Sequence, residues 1–173
     1  MATVVEQLNV FVQYFGVEGC KTGLDPNLKI PSLTTKDGKQ VNGLVTIFKY
    51  LIENSKQKNG LLGQSLEDQC VINQWLEYRT SDLEYALSAD HEKILQELNH
   101  HLENKVYFVG NKLSLADLVL FCGLHNIYKK LDFKEKQLYS NVSRWFNLIQ
   151  HEECLAPLRH HFSHIVFSKT RLC

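Results

Sequence analysis

The chain has 173 residues, 44% hydrophobic and 22% charged, with lysine plus arginine equal to aspartate plus glutamate at 19 each. These values suit an ordinary globular protein able to bury a sizeable core in one domain or two small ones, and they argue against disorder. Neutral balance without a basic stripe beyond Lys169 and Arg171 argues against direct nucleic-acid binding.

Taken in order, Val4, Val5, Leu8, Phe11, Val12 and Phe15 recur at helical spacing, which predicts a helix over residues 3–15. A polar loop through Gly19, Gly23, Asp25 and Pro26 follows. Leu28 to Thr34 reads as a strand, and Asp37-Gly38 as a hairpin turn into Lys39-Gln40-Val41, giving a two-stranded ribbon. Gly43 opens a helix with Leu44, Ile47, Phe48 and Leu51 on its apolar face. Ser65, with Asp68 three residues on, caps a longer helix bearing Val71, Ile72, Trp75, Leu76, Tyr78 and Leu83. Asp90 starts another, marked by Ile94, Leu95, Leu98 and Leu102.

Ser114 and Asp117 form the next capping signal, and Leu113 and Leu118 stand where a hydrophobic staple would close. Beyond them Leu118, Val119, Phe121, Cys122, Leu124, His125, Ile127, Tyr128 and Leu131 leave almost no polar face, so this helix should form the core. Asn141 is expected to cap Val142–His151, and a last helix is expected from about Cys154 to Lys169 with Pro157 in its first turn. Five dispersed cysteines, Cys20, Cys70, Cys122, Cys154 and Cys173, fit reduced cytosolic thiols, with Cys20, Cys154 and Cys173 as exposed candidates. With no basic, apolar leader and no run of roughly 18 apolar residues, the chain is expected to be soluble and intracellular, with no membrane partner.

The capped Ser-Leu-Ala-Asp helix after Val109-Gly110, with Asn141-Val142-Ser143-Arg144-Trp145 behind it, resembles the helical domain of the glutathione-transferase superfamily. Gln74 to Arg79, Leu102 to Tyr107, Gly123 to His125, Ile149 to His151 and Val166-Phe167 extend the resemblance toward a non-enzymatic scaffold branch of that superfamily. The resemblance implies a mostly α, transferase-like fold: a truncated thioredoxin-like α/β part over residues 1–60 and an all-helical bundle over 61–173. It also implies a cis bond at Ile30-Pro31.

A catalytic site is not expected, nor a bound cofactor or metal. A full βαβ unit takes roughly 30 residues or more, and a helix consumes the first half of the stretch before Pro31. Tyr14 and Cys20 are the only suitable side chains there, one core-like and the other too close to Pro31. Where glutathione-binding relatives open their helix with Glu-Ser, this chain has Gly43 and Leu44. His160, His161 and His164 form at most a zinc half-site without a third ligand. His100-His101 reads as a polar helix side, and His125 as a hydrogen-bonded core histidine.

The resemblance instead implies docking, through two surfaces. One spans Gly43 to Glu53 and Leu66 to Leu87, with Ile47, Gln74 and Tyr78 as contact candidates. The second surrounds Asn141 and Arg144. Arginine is a frequent interface anchor, and the alternative for Arg144 is an internal ion pair, for example with Asp117. The implied partners are the transferase-like parts of methionyl-tRNA synthetase and glutamyl-prolyl-tRNA synthetase, with tRNA met only indirectly. The implied location is the cytoplasm, with a nuclear role as well. A transferase with a rebuilt site and a subunit of the elongation-factor-1 complex are the rival readings.

Overall fold

The computed structural model describes residues 4–55, 60–156 and 161–167 and divides the chain into two compact units, residues 1–64 and 65–173.

In the first unit, α1 (Val4–Phe15) buries Leu8, Phe11 and Phe15, the positions its periodicity selects. Three antiparallel strands follow, β1 (Lys21–Leu24), β2 (Pro31–Thr34) and β3 (Gln40–Asn42), in the order β1-β2-β3. Leu33 faces Thr22 on one side and Val41 on the other. The predicted ribbon therefore gains a third strand from the stretch read as a loop. Then α2 (Leu44–Glu53) packs on β2 and β3, and Phe48 meets Phe11 edge-to-face at 4.6 Å.

Ile30-Pro31 is trans, against the expected cis bond. The reversal before it is made by other means. Asp25 Oδ1 accepts from the amides of Asn27 (2.9 Å) and Leu28 (2.8 Å), Lys29 takes a left-handed φ of 56°, and Asp25 N–H closes on Ile30 O at 2.8 Å. Gln40 and Asn42 donate to Asp25 Oδ2, both at 3.1 Å. The Leu28 and Asn27 amides hold this carboxyl below the usual aspartate range.

In the second unit, α3 (Leu66–Tyr78) starts at the predicted Ser65–Asp68 capping box and runs into one π turn, Arg79–Leu83. The turn lies against α5 (Leu115–Lys130), where Gly123 leaves room for the Arg79 side chain. Next come α4 (His91–His101), α5, α6 (Phe133–Leu138) and α7 (Ser140–His151). The six-residue α6 was not expected, although Asp132 and Glu135 close a capping box at 2.7 and 2.8 Å.

As expected, α5 is the core: eleven of its residues are buried. Its Asp117, wholly enclosed, accepts Ser114 N–H (2.9 Å) and Ser114 Oγ–H (2.7 Å) at Oδ2, and Phe108 N–H and Trp145 Nε1–H (both 2.9 Å) at Oδ1. One carboxylate thus ties the loop before α5 to α7.

The expected C-terminal helix is corrected at its far end. A 3₁₀ turn over Glu153–Leu155 leads into Ala156, which is helical, residues 157–160 lie outside the described residues, and residues 163–167 carry no helix. Pro157, His160, Lys169, Arg171, Cys173 and the side chain of Cys154 lie outside the described residues. Among those described, Cys20 is half-buried, Cys70 exposed and Cys122 buried, and no helix is long and apolar enough to cross a membrane.

A candidate docking surface around Arg144

The amides that open α7 are not capped by Asn141, which sits inside the helix. Asn99 of α4 takes that role: its Oδ1 accepts Asn141 N–H at 2.9 Å and Val142 N–H at 3.3 Å, while its carbonyl accepts Asn141 Nδ2–H at 3.1 Å. Sequence reading missed Asn99 because its partners are more than forty residues away. No local pattern announces it.

One turn further on, Arg144 reaches past the same C-terminal end of α4. Its Nη2 donates to Leu102 O at 2.7 Å and Lys105 O at 2.8 Å. Leu102 is the C-cap of α4 and Lys105 lies in the turn beyond it, so the cation sits at the helix end whose dipole favours positive charge. The internal pair with Asp117 does not form, because that carboxylate is filled by four donors from elsewhere. Arg144 is exposed despite its two bonds.

Asn141 and Arg144 therefore share one α4–α7 face. Beside Asn141 lies a groove of about 470 Å³ whose walls include Glu92, Gln96 and Asn99 of α4 and Glu103 just beyond it. Leu138, 72% exposed, stands at its margin. Hydrogen-bonding groups, two carboxylates and one bare leucine suit a protein partner better than a small apolar ligand.

The other expected contacts separate. Gln74 is exposed on α3. One turn later, Tyr78 is half-buried and donates to Glu97 of α4 at 3.3 Å; burial first, then the Glu97 charge, pushes its phenol pKa up. Ile47 is fully buried in α2 and offers nothing to a partner, which corrects its selection as a contact. Its helical spacing with Leu44, Phe48 and Leu51 places it on the inner face, and only the outer positions of α2, such as Thr46, Lys49 and Glu53, are exposed.

Candidates for chemistry are dispersed. Tyr14 is buried beside Phe15. Cys20 is held above the ordinary thiol range by burial, with Lys36 opposing, so it is a poor nucleophile. Gly43, at φ +87°, supplies no side-chain cap to α2, and Leu44 is buried. His161 and His164 are exposed and lie on no helix, and no group of three potential metal ligands occurs among the described residues.

His101 departs from the polar reading. It lies between Trp75 (4.6 Å) and Phe108 (5.5 Å), donates Nε2–H to Phe108 O at 3.0 Å, and has its pKa lowered by burial. His125 is the hydrogen-bonded core histidine expected, with Nε2 2.9 Å from Ser163 O and its pKa likewise lowered by burial.

Comparison with known proteins adds the lineage. Residues 68–153 match the family model described as nuclear-export cofactor Arc1p. Human eukaryotic translation elongation factor 1 epsilon-1 is 39% identical over 156 residues, covering 90% of this chain and 87% of the human protein. The bifunctional glutamate/proline–tRNA ligase of Cricetulus griseus is 30% identical over 109 residues, 62% of this chain and 7% of the ligase. Among solved structures, a glutathione S-transferase from Pichia kudriavzevii superposes with a TM-score of 0.69 at 22% identity, covering 86% of this chain and 87% of the transferase. The chain belongs to the elongation factor 1 epsilon family and has a mostly α, glutathione-transferase-like fold.

Proposed function

We propose that the chain is a non-catalytic docking module of a multi-aminoacyl-tRNA synthetase assembly. In this reading one surface holds the transferase-like part of methionyl-tRNA synthetase and the other that of glutamyl-prolyl-tRNA synthetase, in the cytoplasm and with a nuclear pool. The observation that carries it is Arg144: an exposed guanidinium anchored by Nη2 to the end of α4, next to a hydrogen-bonding groove. The relationship to a glutamate/proline–tRNA ligase over much of the chain supports a like-with-like association, and the Arc1p family model supports service to aminoacylation.

An active transferase reading has little to stand on, since Gly43 and Leu44 occupy the positions where glutathione is held and a fold carries no function without its site. Affinity capture of tagged chain from cytosolic extract, followed by mass spectrometry, should recover both synthetases. Arg144→Ala should lose one and keep the other. Capture of nucleotide-exchange subunits in their place, or equal loss of both synthetases with the fold intact by circular dichroism, would reject the two-surface scheme.

A further inference from the structure

Charge along α4 is one-sided. Between residues 90 and 103 stand Asp90, Glu92, Glu97 and Glu103, and the only lysine or arginine among them is Lys93, whose Nζ lies 3.8 Å from Glu97. Two of these carboxylates, Glu92 and Glu103, line the groove beside Asn141. Among the described residues no lysine or arginine comes within ion-pair distance of either, and Glu103 has only His100 Nδ1 at 3.5 Å. Tyr139, buried in the groove wall, registers the field: its phenol pKa is pushed up first by burial and then by Glu92 and Glu135.

The neutral groups lean the same way. Gln96 gives an Nε2–H to Glu92 Oε1 at 3.1 Å and Asn141 gives an Nδ2–H to Asn99 O at 3.1 Å, so these carboxamides spend donors within the chain while their oxygens accept nothing from the described residues. The groove thus offers acceptors and negative charge, which repel phosphate and carboxylate groups and favour ammonium or guanidinium. Glu92 and Glu103 are eleven residues apart, roughly 15 Å at the helical rise, so one cation cannot serve both. Exposed Leu138 at the margin supplies apolar surface for an aliphatic side chain or a cation's stem. The Asn99–Asn141 bonds tie α4 to α7, so the walls are set before anything binds.

We propose that this groove receives a positively charged face of the docking partner, with one Lys or Arg against Glu92, a second against Glu103 and an aliphatic side chain over Leu138, while a carboxylate or carbonyl meets the remaining N–H groups of Arg144. The inference rests on the docking reading above and adds the chemistry that selects the partner: a basic protein surface.

The test takes the synthetase that Arg144→Ala loses and measures its binding to the full chain by surface plasmon resonance at about 50 mM and about 300 mM NaCl. Glu92→Gln/Glu103→Gln should bind about fivefold to tenfold more weakly at low salt, with a shallower salt dependence, and Glu92→Lys/Glu103→Lys about a hundredfold more weakly. Both variants alter exposed side chains, so circular dichroism and binding of the other synthetase should be unchanged. If Arg144→Ala weakens binding but both glutamate variants bind like the unaltered chain at both salt concentrations, this inference fails and the docking reading stands. If neither synthetase binds the unaltered chain, both fall. A salt-sensitive dimer of the unaltered chain, seen by light scattering and abolished by Glu92→Lys/Glu103→Lys, would overturn the assignment in favour of a second copy bringing its own Lys129–Lys136 stretch.

Discussion

Replacing Asp117 by Asn tests the hub on which the second unit is assembled. Every contact to this carboxylate is a donor: Phe108 N–H and Trp145 Nε1–H on Oδ1, Ser114 N–H and Oγ–H on Oδ2. An asparagine can keep its oxygen toward Phe108 and Trp145, but its NH₂ then faces Ser114. The serine hydroxyl can turn and accept, whereas its backbone N–H cannot, and a buried orphaned donor costs about 1–3 kcal/mol. The surviving bonds lose their charge assistance, roughly another 0.5–1 kcal/mol each. Relief from burying a charge works the other way, since burial pushes the Asp117 pKa up. The net expectation is a loss of about 3 kcal/mol from a fold whose total stability is typically about 5–15 kcal/mol. In urea at neutral pH that should lower the unfolding midpoint by about 1–3 M with unchanged slope. An Asp117→Asn protein as stable as the original would mean that the buried carboxyl is protonated, and the four-donor account would fail.

Gly123→Ala should destabilise by about 1–3 kcal/mol through overpacking, although helix propensity alone favours alanine by about 1 kcal/mol. A β-carbon there would come 2.6 Å from Arg79 Cδ and 2.7 Å from Leu83 Cδ2 and crowd Arg79 Nε, pressing on the buried guanidinium that pairs with Glu84. Differential scanning calorimetry checks this, and a raised melting temperature would show the site to be open. Acid should weaken the fold through His125 and His101, both lowered from 6.5 by burial. The folded chain then binds protons less readily than the unfolded one, so this stability is complete above the unfolded pKa and is lost as pH falls through it. Urea midpoints should drop from about pH 7 to about pH 5, less steeply in His125→Gln, which can still donate to Ser163 O. Asp132→Ala should cost about 1 kcal/mol by removing the α6 cap, read as faster amide exchange over residues 133–138.

Most of the helices were legible because their signals are local. Ser65 with Asp68, Ser114 with Asp117, and the apolar spacings of α1, α2 and α4 each act within a few residues. What escaped depends on distant partners. Lys21-Thr22-Gly23-Leu24 has a central glycine and no alternation, and becomes a strand only because β2 lies beside it. The Asp132–Glu135 box was readable, but α6 buries none of its residues, so no apolar period supported it. At the other end, the helix expected to run on to Lys169 gives way over residues 163–167 to a non-helical path held by Gln150 and His125, partners too distant in sequence to be read locally. The docking candidates divide likewise: Arg144 and Asn141 share a face, Gln74 and Tyr78 follow each other on α3, and Ile47 was a core position.

The bonds from Arg144 to Leu102 and Lys105 have a kinetic corollary. A long cation usually forfeits rotamer freedom when a neighbour seizes it, and here much of that freedom is already gone in the solitary molecule. Whatever meets this guanidinium encounters a rigid edge, so complexes should form with little rearrangement and owe their lifetimes to slow dissociation.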